Sequence, residues 1–153
     1  MPKVDIETME WAGGSSYPSP FRERVAGRMR KRLSDAGGLT QFGAHLTRLD
    51  PGAMSALRHW HENEDEFVFV VSGEVVLIED DGETPMAAGD AATFKAGVAN
   101  GHHFVNRSDG PAFYLEVGTR SPTERATYPD DDLAGVKENG RFVFTRKDGG
   151  ACD

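Results

Sequence analysis

Cysteine is almost absent: the 153-residue chain has one, Cys152, beside its C-terminus. One thiol cannot form an internal disulfide, so the fold must hold by packing alone, and a reducing cytoplasm is the expected compartment. No histidine or apolar run near it in sequence would activate that thiol, which argues against a nucleophile. Long apolar runs are missing too. No segment approaches the roughly 20 residues that span a bilayer, and Met1-Pro2-Lys3-Val4-Asp5-Ile6-Glu7 lacks the apolar stretch of a signal peptide. Nor is there an excess of basic residues. The net charge is −8, whereas a nucleic-acid surface needs clustered Lys and Arg to meet phosphates. Repeats and low-complexity tracts are also absent. Membrane and nucleic acid are therefore not expected partners, which leaves a small molecule.

The chain is rich in turn signals, with 18 Gly and 8 Pro, as many short strands require. Its length suits one domain with its own core. Residues 1–40 carry little periodicity and read as an N-terminal arm. Within them, Arg22 to Leu33 is a basic patch, either a short helix or an extended arm. Its arginines are expected to pair with acidic surface; the other reading is that Arg28, Arg30 or Arg32 holds an anion. Gln41 to Leu49 alternates like a strand. In that strand His45 reads as an ordinary surface or core histidine. Glu66 to Val71 is apolar at nearly every position after the first, the pattern of a strand buried on both faces. Ser72-Gly73-Glu74 reads as a tight turn that returns Val75 to Glu79 as the hairpin partner of that strand. Short strands follow around Met86, over Ala92 to Phe94, over His102 to Asn106 and over Ala112 to Gly118. Residues 121–153 form a C-terminal extension, with Gly140 to Thr145 a closing strand on the barrel edge or on a second subunit. Many antiparallel strands with turns between them predict an all-β sandwich or barrel.

The chemistry gathers in Arg58-His59-Trp60-His61-Glu62-Asn63-Glu64-Asp65-Glu66. In an extended strand His59 and His61 share a face and Trp60 points away. Two imidazoles on one face can take adjacent positions on a metal ion. Glu62, Glu64, Asp65 and Glu66 all lie close enough in sequence to add a carboxylate, and His102 or His103 offers a third nitrogen some forty residues later. Three imidazoles and a carboxylate suit Zn, Fe, Mn, Ni or Cu. Farther along, Tyr114 and Glu116 share a face of one strand. If that face looks inward, Glu116 is a proton shuttle and Tyr114 an orienting donor; the alternative is an outward, solvated face.

These residues resemble the two motifs of the cupin superfamily. Gly52, His59, His61, Glu66 and Gly73 fit the first motif, with one extra residue between Gly52 and His59. Gly89, Gly97, His102 and Asn106 fit the second, with Lys95 where proline is usual and four residues rather than two between Gly97 and His102. The resemblance covers roughly residues 41–120, the barrel, and implies a double-sheet antiparallel jelly roll. It selects His59, His61, Glu66 and His102 as ligands of one divalent transition metal ion (Zn, Fe, Mn or Ni), with His103 in reserve. It also implies a homodimer. For activity it implies a metal-dependent enzyme on a small oxygen-rich molecule, such as a sugar-phosphate isomerase. A dioxygenase, an oxalate-type decarboxylase and a non-catalytic sensor are the alternatives.

Overall fold

The computed structural model describes residues 2–152. Twelve strands carry the fold. They are β1 (Arg28–Arg32), β2 (Phe42–Leu49), β3 (Trp60–His61), β4 (Glu66–Ser72), β5 (Glu74–Glu79), β6 (Gly82–Ala87), β7 (Ala91–Phe94), β8 (His103–Val105), β9 (Ala112–Thr119), β10 (Arg125–Thr127), β11 (Ala134–Glu138) and β12 (Arg141–Thr145). They form a five-stranded sheet in the order β1-β2-β9-β4-β7, a three-stranded sheet β6-β5-β8 and a four-stranded sheet β12-β11-β10-β3. Every pairing is antiparallel. The chain is an all-β jelly roll with a single short α-helix, α1 (Leu33–Ala36), among the described residues.

The main core lies between the five-stranded and three-stranded sheets. Leu49, Val68, Val70, Ala112 and Tyr114 meet Val75, Leu77, Met86 and Phe104 there. Alternation explains the choice: on β4 the even positions Val68 and Val70 point inward while Phe67 and Phe69 point out. This corrects the expectation of a strand buried on both faces. Phe67 and Phe69 are each 38% exposed and Val71 is 49% exposed; the N-terminal segment covers the outer face only near Phe113, where Trp11 packs.

The expected hairpin between Glu66–Val71 and Val75–Glu79 does not form either. β4 pairs with β9 and β7, while β5 pairs with β6 and β8. Gly73, at φ 77°, carries the chain from one sheet to the other. A Cβ there would lie 2.6 Å from the Pro111 carbonyl oxygen, so the corner needs glycine on two counts.

Both terminal segments join the barrel. Phe21–Val25 forms a 3₁₀ turn; then β1 extends the large sheet, with Arg28–Arg32 paired to His45–Leu49. The C-terminal strands β10, β11 and β12 stack beside β3 and enclose a second core of Tyr17, Val25, Leu57, Ala126, Tyr128 and Leu133. Among the described residues no helix is long and apolar enough to cross a membrane.

Candidate metal centre

The residues just before β3 and just before β8 run side by side. His59 and His102 exchange backbone hydrogen bonds across them, His59 N–H to the His102 carbonyl at 3.2 Å and the reverse at 2.8 Å. This pairing and strand alternation aim three imidazoles at one point. The Nε2 atoms of His61, His102 and His59 lie 3.1, 3.3 and 3.9 Å from Glu66 Oε1. His59, His61 and Glu66 could hold a metal ion, since their ligand atoms all fall within 4.8 Å of one another. His102 approaches through the same Glu66 oxygen. His103 faces elsewhere, with its Nδ1 at 2.8 Å from the Ala56 carbonyl oxygen.

The protonation pattern suits an ion. His59 Nδ1 lies 2.7 Å from the Leu57 carbonyl oxygen. A carbonyl only accepts, so Nδ1 carries the proton and Nε2 presents its lone pair. Burial pushes the His59 pKa down to about 3, so the ring stays neutral and able to ligate. At His61 burial also works downward, but the nearby carboxylate of Glu66, with Glu124 and Glu64 behind, outweighs it and raises the pKa. Burial would raise Glu66, yet His102 and His61 hold it well below the usual carboxylate range. Glu66 Oε1 is itself buried with no hydrogen bond of acceptable geometry. A divalent cation among these atoms would meet the charge of that oxygen and the lone pairs of the imidazoles together. The donor set, three imidazole nitrogens and one carboxylate, fits such an ion.

A supporting layer comes from Glu124, which sequence patterns do not single out, and from Glu64, which the structure turns away from the ligand role the sequence left open to it. Glu124, just before β10, is buried. It accepts hydrogen bonds from the backbone N–H groups of Glu62, Asn63 and Arg125. It thereby fastens the turn that carries Glu66 back toward the histidines. Glu64 accepts from the Ser121 N–H at 2.8 Å and from Lys137 Nζ at 2.6 Å. His61 Nδ1 sits 3.8 Å from Glu64 and 4.0 Å from Glu124.

The cluster stands between two cavities. The smaller, about 250 Å³, is walled by Trp60, Thr93, Phe94, Lys95 and Asn100. The larger, about 670 Å³, runs along the inner face of the five-stranded sheet. Tyr114 and Glu116 are on that inner face. Tyr114 is wholly buried, and burial pushes its hydroxyl above the usual phenol range, so it stays protonated. Glu116 Oε1 is 2.8 Å from Arg30 Nε and 3.3 Å from His45 Nδ1. Burial would raise its pKa, but Arg30 and His45 lower it overall. Arg28 and Arg30 also line this cavity, while Arg32, farther along β1, is exposed and outside it. His45, which sequence alone leaves unremarkable, is brought to Glu116 by the β2–β9 register.

Comparison with known proteins agrees with this architecture. The cupin domain family matches residues 45–118. A crystal structure of a sugar phosphate isomerase of the cupin superfamily from Silicibacter pomeroyi is 52% identical; the match covers 99% of this chain and 97% of that one, with a TM-score of 0.95. A protein from Acidithiobacillus ferrooxidans, provisionally described as a sugar phosphate isomerase, is 26% identical over 97% of this chain and 92% of that one, with a TM-score of 0.83. The polyketide cyclase RemF of Streptomyces resistomycificus is 18% identical over 86% and 89%, with a TM-score of 0.68, a likeness of fold alone. Among curated proteins none matches.

Proposed function

Because the chain belongs to the cupin superfamily, we propose that it is a metal-dependent isomerase of small phosphorylated sugars. The observation that carries this reading is the convergence of His59, His61, His102 and Glu66 at the wall of the larger cavity. The similarity in sequence and shape to the Silicibacter pomeroyi protein supports it.

His59, His61, Glu66 and His102 would hold one divalent ion, of the Zn, Fe, Mn or Ni class. Bound there, such an ion supplies Lewis-acid polarisation of a substrate oxygen. The chain's own residues supply the rest. Interconverting an aldose and a ketose moves a proton between adjacent carbons and needs a base that is ionised at neutral pH. Glu116 fits: its lowered pKa keeps it a carboxylate, and its contacts engage Oε1, leaving Oε2 for the proton. Tyr114, kept protonated by burial, retains an O–H that can donate to the substrate, suited to fixing orientation.

Two copies would complete the molecule as a homodimer, through the uncovered apolar face of the five-stranded sheet.

The test has two parts. Protein purified without an affinity tag is analysed for metal beside a His59→Ala, His61→Ala double variant. Both are then incubated with a panel of aldose and ketose phosphates and followed by NMR. One equivalent of metal and an interconverted pair, both lost in the variant, are expected. A protein that takes up no metal on reconstitution, or converts no member of the panel when loaded, would end this reading.

A further inference from the structure

The chain is acidic, with a net charge of −8, yet its larger cavity is not. Among the described residues its wall carries Arg28, Arg30, Arg120 and Lys137 against Glu64, Glu66 and Glu116. Three of the cations are spoken for: Lys137 by Glu64 at 2.6 Å, Arg120 by Asp35 at 2.5 Å, and Arg30 by Glu116 at 2.8 Å. Arg28 is not. It is 7% exposed and no described carboxylate lies within ion-pair distance of it. Its guanidinium donates to two carbonyl oxygens, Ser55 at 2.6 Å and Gly14 at 3.2 Å. Those bonds tie the N-terminal segment down but bring no negative charge. A guanidinium has five N–H donors, so most of its capacity is unspent.

Arg30 points the same way. On β1, residues 28 and 30 share a face. Arg30 meets Glu116 through Nε, and its two terminal nitrogens have no partner among the described residues. Its side chain is 25% exposed, and it lines the cavity. A buried cation without a counter-charge is costly, and the two arginines raise the cost for each other. Burial, then the like charge of Arg30, lowers the Arg28 pKa. A ligand oxyanion placed between them would relieve both, in the fork geometry that guanidinium offers to phosphate and carboxylate.

We propose that the Arg28–Arg30 end of the large cavity is an anion subsite, separate from the metal centre, which takes the terminal phosphate or carboxylate of the ligand. The two sites lie on one sheet face. β1 and β4, which carry Arg30 and Glu66, are three strand spacings apart in the order β1-β2-β9-β4, roughly 14 Å between backbones at about 4.8 Å per spacing. Gly43 and Gly118 face one another beside Glu66 and leave the sheet open there, while Arg30 stands opposite Thr47, two same-face rows along, with His45 and Glu116 in the row between. The arrangement selects an elongated molecule with an oxyanion at one end and oxygen functions at the other. Glu116, by holding Arg30 Nε, also serves as a positioning residue for this subsite. The inference rests on the cavity being the ligand site of the proposed isomerase, but its test does not depend on turnover.

Inorganic phosphate, and in a parallel arm acetate, is titrated into the protein as purified and again after chelator treatment, with binding read by calorimetry. Saturable binding at one site per chain is expected, and it should survive metal removal. The tighter of the two anions identifies which terminal group the subsite takes. Arg30→Gln should weaken binding by about tenfold or more, as loss of a charge-assisted pair does, whereas Arg32→Gln on the exposed end of the same strand should leave it unchanged. Should Arg30→Gln fold poorly because Glu116 loses its partner, the Arg30→Gln, Glu116→Gln double variant removes both charges and should show the same loss. Absence of saturable binding of either anion would overturn the proposal. So would equal affinity in the arginine variants, or binding that vanishes with the metal. An anion that binds while no sugar phosphate is converted would leave the subsite standing and dismiss the isomerase.

Discussion

A carboxylate inside a barrel persists only if its charge is met, and at Glu116 two groups meet it. Arg30 Nε at 2.8 Å and His45 Nδ1 at 3.3 Å share its Oε1. Burial alone would raise the pKa; Arg30 and His45 more than offset that and bring it below the ordinary carboxylate value. The folded state therefore binds this proton less readily than the unfolded chain. The group's contribution to stability is fully present above the unfolded pKa, near 4.5, and is lost as pH falls through the folded value. Glu116→Gln removes the charge at every pH. The variant should be less stable than the parent at pH 7 by about 1–3 kcal/mol, the cost of stranding a partly buried arginine. The gap should begin to close as pH falls below about 4.5, where the unfolded chain takes up this proton, and close fully below the lower folded value, where the folded parent is neutral here as well. Urea unfolding of both proteins from pH 7 to pH 3.5 measures this. A gap that did not change with pH would mean that Arg30 and His45 do not hold the carboxylate ionised.

Between strands, the decisive contacts are those that no local pattern encodes. His59 and His61 were legible because alternation alone puts them on one face, and motif spacing pointed to Glu66 and His102. His45 and Glu116 become neighbours only through the β2–β9 register. Glu124 reaches the site only because β10 folds back beside β3. Such long-range pairings leave no periodic trace in the sequence. The corner at Gly73 shows the same limit. A glycine at positive φ serves a hairpin and a sheet-to-sheet crossing equally well, and the choice falls to strand edges elsewhere: β9 and β7 occupy both sides of β4. Glycine substitutions can separate the two demands at that corner. Gly52 has φ 83° with nothing within 4 Å of an added Cβ, whereas at Gly73 the new atom would meet the Pro111 and Ala112 backbone at 2.6 and 2.9 Å. Gly52→Ala should cost about 1–2 kcal/mol, the left-handed penalty alone. Gly73→Ala should cost clearly more, since backbone must move. Thermal unfolding of the pair checks the order, and equal costs would show that the corner relaxes freely. Glu124→Ala tests the support of β3 in turn: metal affinity should fall by about tenfold or more although Glu124 is not among the four proposed ligands, as a competition titration with a chelator would reveal.

For the molecule as a whole, the outer face of the five-stranded sheet is what a single chain leaves unresolved. Phe67 and Phe69 project from β4 and are each 38% exposed, with Val71 at 49%. Their cross-strand partners on β9 are Val117 and Leu115, which extend the apolar surface on the same side. Isolated exposed apolar residues are ordinary, but a contiguous row on a flat sheet is not. The homodimer proposed above would use this surface, since a two-fold axis makes one apolar patch its own complement. The proposed dimer makes a quantitative demand. In a two-fold interface each substitution is felt twice, so Phe67→Lys with Phe69→Lys removes four phenylalanine contributions per dimer. At about 1 kcal/mol each for the partial burial at stake, the loss is about 4 kcal/mol, roughly a thousandfold in the dissociation constant. A dimer stable at micromolar concentration would become a monomer throughout that range, while inward-facing Val68 and Val70 keep the core intact. Sedimentation equilibrium of parent and variant decides it. A parent that sediments as a monomer at micromolar concentration would exclude the second copy. A variant that remained dimeric would place the interface on another face.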